Sequence, residues 1–173
     1  MQKQFIVLIL LAVSSASQAG GMYQHPDAFL TAAFDGKAPK PKFIWFTGDI
    51  GKSATTILNH KPASLRTRYW LKEKRSVWVL EEVGKEKPIT IGIIINDNRI
   101  EKIKVLIFRE SRGWEIKRND FTKQFTNAEL SNDGKLTQNI DGISGATLSV
   151  KAVTRLSRLS LYLHSQVTKN NGR

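Results

Sequence analysis

The sequence predicts a single α+β domain, in which an antiparallel β-sheet of about four to five strands is covered by a long C-terminal helix and by short helices. Two patterns support this fold class. Four apolar segments between residues 65 and 108 alternate apolar with polar positions and are joined by short polar links. From residue 147 onward the apolar residues recur at helical spacing instead. The links are too short for parallel crossovers, so the strands should form an antiparallel meander.

The first residues have the composition of a secretory signal. Lys3 is followed by an apolar stretch over residues 5–13 and by small residues at Ser17 and Ala19. We expect cleavage after Ala19, which would export the protein to the periplasm of a Gram-negative cell. The apolar stretch is shorter than the roughly 20 residues that a membrane-spanning helix needs. The chain has no cysteine, so disulfides and thiolate metal sites are excluded.

The chain is strongly basic, with a formal net charge of +12. Such a charge invites a nucleic-acid hypothesis, but export removes the usual partner, and we expect no nucleic acid. Acidic redox partners, anionic membrane surfaces or an anionic cofactor are the more consistent counterparts.

Residues 20–64 are expected to form an N-terminal extension that packs on the main domain. Residues 25–34 predict a short helix, because Pro26 and Asp27 stand at its start. Residues 43–46 predict a brief strand or an apolar plug, and residues 52–59 one or two helical turns. The main domain is expected over residues 65–168, followed by a tail at 169–173.

The sheet is predicted from four segments, residues 65–71, 76–83, 88–95 and 100–108. In the third, the isoleucines at 89, 91, 93 and 95 share one face, and in the fourth Ile103, Val105 and Ile107 do so. Asn96-Asp97-Asn98 has the composition of a turn, so the last two strands should pair as a hairpin.

Helices are predicted after the sheet. Residues 119–125 suggest a short helix with Phe121 and Phe125 on one face, and residues 127–139 a polar loop. In the C-terminal helix Lys151, Arg155 and Arg158 lie on a basic face. Its apolar stripe consists of Ser149, Ala152, Val153, Leu156, Leu159, Leu163 and Val167.

The segment before that helix is the main functional candidate. It reads Asp-Gly-Ile-Ser-Gly-Ala-Thr over residues 141–147. Ser144 is a candidate N-cap, and Thr147 would lie in the first helical turn. Unpaired backbone N–H groups and the helix dipole would favour a phosphate esterified to the Thr147 hydroxyl. Lys151 follows one turn later and would help to neutralise that charge.

The same run, with Leu148 and Ser149 after it, resembles the flavinylation motif of the FMN-binding domain family, found in the Nqr and Rnf electron-transfer complexes and in small periplasmic flavoproteins. In that family a dedicated flavin transferase uses FAD to attach FMN to the threonine through a phosphoester. The resemblance therefore implies covalent FMN on Thr147 and an electron carrier without a substrate of its own. Its partners would be other redox proteins or a membrane reductase.

The resemblance extends upstream and covers residues 68–163 approximately. Residues 91–111 and Gly113, with Phe121 and Phe125, are similar to the strand pair, Glu-containing turn and short helix that precede the motif in the family. Many members have Thr-Pro after that Glu, where this chain has Ser111-Arg112. The implied cofactor-binding residues are Asp141, Gly142, Ser144, Gly145, Ala146, Thr147, Leu148, Lys151, Glu110, Ser111 and Gly113.

Two other functions fit parts of the same pattern. Gly142-x-Ser144-x-Ala146 is close to the nucleophile elbow of hydrolases, which would make Ser144 a nucleophile. An exported binding or assembly module with the same fold and no cofactor is the other alternative. Trp70, Trp78, Trp114 and Tyr69 are candidates to flank a flavin ring, although core packing is the more common role of such residues.

Overall fold

The structure is a computed structural model that describes residues 21–171, with side chains described up to Lys169. The predicted signal and its cleavage site lie outside these residues. Among the helices of residues 21–171, none combines the length and the hydrophobicity that a membrane span requires.

The described chain alternates short helices with strands and ends in one long helix. The strands are β1 (Gly21–Met22), β2 (Lys42–Trp45), β3 (Arg66–Lys72), β4 (Arg75–Val83), β5 (Pro88–Asn96) and β6 (Arg99–Phe108). The helices are α1 (Pro26–Ala33), α2 (Gly48–Leu58), α3 (Asn119–Lys123) and α4 (Thr147–Asn171), with a short 3₁₀ helix at Trp114–Lys117.

The strands form one antiparallel sheet in the order β1-β6-β5-β4-β3-β2. The predicted α+β class and the meander of β3 to β6 are confirmed. The hairpin between β5 and β6 turns at Asp97 and Asn98, which both have positive φ. The sheet has six strands rather than four to five, because β1 and β2 of the N-terminal extension pair with its two edges.

The main core lies between the inner face of the sheet and α4. The whole predicted apolar stripe of α4 is buried, as are the four isoleucines of β5 that alternate from Ile89 to Ile95. Helices α2 and α3 close the sides of this core with Ile57, Leu58, Phe121 and other apolar residues. The C-terminal helix therefore covers the sheet as its periodicity predicted.

A second, smaller core lies on the outer face of the sheet. There Phe29, Leu30 and neighbouring residues of α1 pack on Trp70, Val77 and other outward-facing side chains. Gly92 makes this contact possible, because a Cβ atom on Gly92 would lie within 2.7 Å of three atoms of the Phe29 ring. The helix predicted from Pro26 and Asp27 thus rests directly on a strand backbone.

The register of two strand pairs departs from simple alternation. An irregularity in the β5–β6 pairing at Thr90 and Ile91 shifts the phase of β6, so Ile107 packs against the outer core, away from Ile103 and Val105. The prediction that Ile107 shares their face is wrong, because a bulge reverses the orientation of the following residues.

Strand β3 pairs with β4 only from Tyr69 to Lys72. Its first residues stay with β2, so a groove of about 310 Å³ opens between residues 62–67 and the end of β4. Leu156 and Leu159 of α4 contribute to its lining.

His60 connects the segment between α2 and β3 to β4 through polar contacts beside this groove. Its Nδ1 lies 2.8 Å from the Lys61 carbonyl oxygen, and its Nε2 lies 3.0 Å from both carboxylate oxygens of Glu82. Since both partners are acceptors, the imidazolium form, with a proton on each nitrogen, satisfies both contacts. The Lys61 carbonyl and the Glu82 carboxylate raise the pKa of His60 against the opposing effects of burial and of Arg155.

The contact between Gly92 and Phe29 predicts the effect of one added methyl group. Gly92→Ala should lower the free energy of unfolding by about 1–3 kcal/mol, because the buried Phe29 ring and α1 must move away from the strand. Urea denaturation followed by circular dichroism measures this change. Gly21→Ala is the matched control, since a Cβ atom there meets nothing within 4 Å. Equal stability of the two variants would contradict the direct packing of α1 on the strand.

Candidate functional site

The predicted motif forms a tight turn that leads into α4. The Ala146 N–H donates to the Ile143 carbonyl at 3.0 Å, and Gly145 has a φ of +79°, as the third residue of a type II turn requires. Helix α4 begins at Thr147, which confirms that Thr147 lies in the first turn. The prediction of Ser144 as N-cap is wrong, because Ser144 and Gly145 are the central residues of the turn and Ala146 precedes the helix.

The start of α4 presents unused donors next to an accessible hydroxyl. The first backbone hydrogen bond of α4 runs from the Val150 N–H to the Ala146 carbonyl at 2.9 Å. Within residues 21–171, the N–H groups of Thr147, Leu148 and Ser149 have no acceptor. Thr147 is exposed, and Leu148 is 47% exposed although it is apolar. Free N–H groups at the positive end of a helix dipole favour an anion.

Glu110 organises the turn that lies beside this helix start. It is only 5% exposed, and its Oε1 accepts hydrogen bonds from the backbone N–H groups of Lys85, Glu86 and Lys87 at 2.5, 2.7 and 3.0 Å. Burial opposes ionisation, but these three bonds and the charge of Lys85 together lower the pKa of Glu110. The ionised carboxylate therefore ties the end of β6 to the link between β4 and β5.

Two glycines allow α4 to approach the Glu110 turn closely. A Cβ atom on Gly84 would lie 2.9 Å from Glu110 Oε1 and 3.3 Å from Ser149 Oγ. One on Gly113, which has a φ of +85°, would lie 3.1 Å from Ser149 Oγ and 3.2 Å from Ala146 Cβ. Glu110, Gly113, Ala146 and Ser149 are thus brought together, as expected for one site. We call the first turn of α4 with residues 110–113 the Thr147 site.

A basic cleft of about 700 Å³ opens beside the first turns of α4. Lys151 is exposed at its edge, one turn after Thr147. The other two basic residues of this face are engaged: Arg155 lies 3.8 Å from Glu82, and Arg158 Nε donates to the Gly134 carbonyl at 2.6 Å. The cleft also contains residues 135–140. It offers positive charge and volume next to the free N–H groups.

The remaining predicted site residues have simple surroundings. Asp141 is exposed and its backbone N–H donates to Gln124 Oε1 at 2.7 Å, which holds the start of the motif against α3. Gly142 and Ser111 are also exposed. These positions leave the side chains of Asp141 and Ser111 accessible from solvent.

The candidate aromatic residues divide into core and surface groups. Trp78 is fully buried and stacks on Tyr69 with ring centroids 5.2 Å apart, and Trp70 belongs to the outer core. Trp114 is half-buried with the Lys117 ammonium 5.2 Å from its ring. Of the four, Trp114 is therefore the one whose ring is partly accessible near residues 110–113.

The structure does not build a nucleophile elbow around Ser144. An elbow needs a strand directly before the serine, but residues 137–143 have no regular secondary structure. The described histidines serve elsewhere: His164 is buried with its Nδ1 2.7 Å from Ser76 Oγ, His60 binds Glu82, and His25 caps α1. Among the described residues, the hydrolase alternative therefore lacks both the nucleophile-elbow turn and a histidine base for Ser144.

Comparison with known proteins agrees with the geometry of the Thr147 site. Residues 84–161 match the model of a family described as the FMN-binding domain. Residues 84–161 are an FMN-binding domain. The match begins at the Gly84 turn that Glu110 holds and includes β5, β6 and most of α4, so it contains the whole Thr147 site. No curated protein matches the chain.

The FMN-binding domain makes the chain a flavin-binding protein, with FMN as the cofactor that the family implies. The groups present fit that cofactor: free N–H groups and Lys151 suit a phosphate, and the exposed Leu148 of the same helical turn suits an apolar ring. Sequence reasoning missed Gly84 and the backbone of residues 85–87. A glycine before three polar residues between two strands was the available signal for a tight turn there.

The three hydrogen bonds that Glu110 accepts predict that the free energy of unfolding depends on pH. Because the folded-state pKa lies below the ordinary 4.5, the bonds contribute fully above that pH and are lost as the pH falls through the folded pKa. Glu110→Gln should lower the free energy of unfolding at pH 7 by about 1–3 kcal/mol and flatten its decline below about pH 4.5. Urea titrations between pH 7 and pH 3 would measure both effects.

Glu73→Gln is the control for this prediction, since Glu73 is exposed in the hairpin between β3 and β4. It should retain the stability of the parent chain and the decline in acid. If Glu110→Gln showed the same profile as Glu73→Gln, the Glu110 carboxylate would not hold the turn.

Proposed function

We propose that the protein is an exported electron carrier with FMN covalently attached through a phosphoester to Thr147. The observation that carries this proposal is the position of Thr147, an exposed hydroxyl on the first residue of α4 beside N–H groups that no acceptor within residues 21–171 uses. The family match and the agreement of residues 141–149 with the flavinylation motif support it.

The attachment step forms one bond and breaks one. Under this proposal FAD would be the donor and Thr147 Oγ1 the acceptor: a bond from Oγ1 to the phosphorus of the FMN half would replace the phosphoanhydride bond, AMP would leave, and the hydroxyl proton would pass to solvent or to a base of the flavin transferase. The Gly142, Gly145 and Ala146 positions favour this reaction because they add no bulk around the hydroxyl. The exposed Asp141 is a candidate contact for the transferase.

The attached phosphate carries negative charge, which the helix start would stabilise. The N–H groups of Thr147, Leu148 and Ser149 lie at the positive end of the α4 dipole, and Lys151 adds a full charge one turn away. Gly113 and Ala146 keep the Glu110 turn close, and the 700 Å³ cleft leaves room on the other side. These residues would hold and orient the cofactor.

When bound, FMN supplies the one-electron and two-electron redox chemistry, and the protein supplies attachment, orientation and electrostatics. The donor and acceptor would be other redox proteins or a membrane reductase. The formal charge, +12 for the full chain and +11 after loss of Lys3 with the signal, would attract acidic surfaces on such partners and accelerate encounter at low salt.

Removal of one hydroxyl tests the attachment. Thr147→Ala, produced together with the flavin transferase, should remain folded but carry no flavin, because the change removes the acceptor oxygen and leaves the apolar stripe of α4 intact. Intact mass spectrometry and in-gel flavin fluorescence after denaturation report covalent flavin directly.

Thr154→Ala is the matched control, since Thr154 lies two turns later on α4 and its hydroxyl donates to the Val150 carbonyl at 2.9 Å. It should be loaded like the parent chain. Fluorescent Thr147→Ala protein would disprove the assignment. A colourless parent chain in the presence of an active transferase would favour a binding module without cofactor.

The export prediction has its own measurement. N-terminal sequencing of protein recovered from the periplasmic fraction should find Gly20 as the first residue, because Ser17 and Ala19 match a cleavage site after an apolar segment. Replacement of Ala19 by Arg should block processing, and Gln18→Asn is a control that leaves the small residues in place. Retention of Met1 on membrane-bound parent protein would show an anchored carrier instead.

A further inference from the structure

The outer face of the sheet has an apolar surface that α1 does not cover. Phe43 and Trp45 of β2 point to this face and are 45% and 50% exposed. Two of the large apolar side chains that residues 21–169 leave exposed therefore lie together on the outer face, along the β2 edge of the sheet.

Two arginines on β3 complete this surface. Arg66 and Arg68 are the register partners of Trp45 and Phe43, so all four side chains share one face. The Arg66 guanidinium lies 4.4 Å from the centroid of the Phe43 ring and 5.0 Å from that of the Trp45 ring. Within residues 21–169 neither guanidinium is within ion-pair distance of a carboxylate.

The two acidic residues that line the same depression as the arginines, Asp27 and Glu81, are already engaged. Glu81 accepts the Thr90 hydroxyl at 2.5 Å and lies 3.4 Å from Arg109, and Asp27 lies 3.5 Å from His25. An open depression of about 820 Å³ lies between α1 and β2, with both arginines in its lining. The surface consequently combines unneutralised positive charge with exposed aromatic side chains.

We propose that Phe43, Trp45, Arg66 and Arg68, here called the Trp45 patch, dock the protein on an anionic lipid bilayer. Tryptophan and phenylalanine side chains favour the headgroup region, where one end of the side chain is apolar and the surroundings are wet. Arginines at that depth pair with lipid phosphates. A lipid surface adapts to the irregular spacing of these side chains, whereas a rigid protein partner would need a surface complementary to that spacing.

The fold gives this docking a defined orientation. The Trp45 patch lies on the outer face of the sheet, whereas α4 and the Thr147 site lie on the inner face. A protein held on lipid by the patch would keep the Thr147 site uncovered and accessible to another protein. The functional value of this orientation rests on the proposed electron transfer, whereas the lipid contact itself does not require bound FMN.

Vesicle sedimentation tests the proposal with the chain from Gly20, which contains every described element and lacks the apolar residues 5–13. It should bind vesicles of equal parts phosphatidylglycerol and phosphatidylcholine and not vesicles of phosphatidylcholine alone. Salt raised from about 10 mM to about 150 mM should weaken binding by screening. Binding should also shift the tryptophan emission to shorter wavelength, and Trp45→Phe should remove the shift while retaining binding.

Matched pairs of variants separate the patch from the overall charge. Phe43→Ser with Trp45→Ser should lower the partition coefficient at least about tenfold, because two exposed apolar side chains no longer insert. Met22→Ser removes a 58% exposed side chain from the opposite edge strand and should leave the partition unchanged. Arg66→Gln with Arg68→Gln should weaken binding more than Lys102→Gln with Lys104→Gln, which removes two exposed charges of β6.

Three results would overturn the proposal. Equal loss in the two charge-removing double variants would show diffuse attraction by net charge. Equal loss in Met22→Ser and in Phe43→Ser with Trp45→Ser would show that no particular surface inserts. Absence of vesicle binding, together with patch-dependent binding to a purified acidic redox protein, would identify the patch as a protein interface. Circular dichroism confirms that each variant is folded before it is compared.

Discussion

The Glu110 carboxylate is the interaction on which the geometry of the functional end of the sheet depends. One oxygen accepts three successive N–H groups, so the link between β4 and β5 is fixed to the end of β6. This compact link lets α4 begin directly above it, with Ser149 against Gly84 and Ala146 against Gly113. A longer or looser link would separate α4 from the sheet, and the free N–H groups at its start would lose their fixed position.

The sequence predicted those features whose cause is local. Alternation located β3 to β6, helical spacing identified the buried stripe of α4, and Pro26 with Asp27 marked the start of α1. Features set by tertiary contacts escaped prediction. Strand β1 has two residues and no pattern of its own, and the phase of Ile107 depends on a bulge between two strands. The turn at Ser144 resembled a helix start because serine favours both positions.

The N-terminal extension is part of the sheet rather than an addition to it. Its β1 and β2 cover the two edges, which would otherwise expose unpaired backbone groups to other chains. Its connection to the core includes a buried carboxylate, because Glu82 lies between His60 and Arg155. Burial of a carboxylate is costly unless it is paired, and the Arg155 guanidinium and the His60 ring supply partners for Glu82 next to the apolar groove. The matched family domain begins only after this segment, at residue 84.

A covalent bond would explain why the Thr147 site is open. A cofactor held only by contacts needs a pocket that buries most of its surface, as small-molecule sites usually do. The cleft beside α4 is broad and partly polar, and the exposed Thr147 lies one helical turn before Lys151 of its lining. Under the proposed attachment the ring is always near the protein, so weak contacts suffice to orient it, as for any tethered ligand. The same openness would leave the ring within reach of a redox partner, which a deep pocket would prevent.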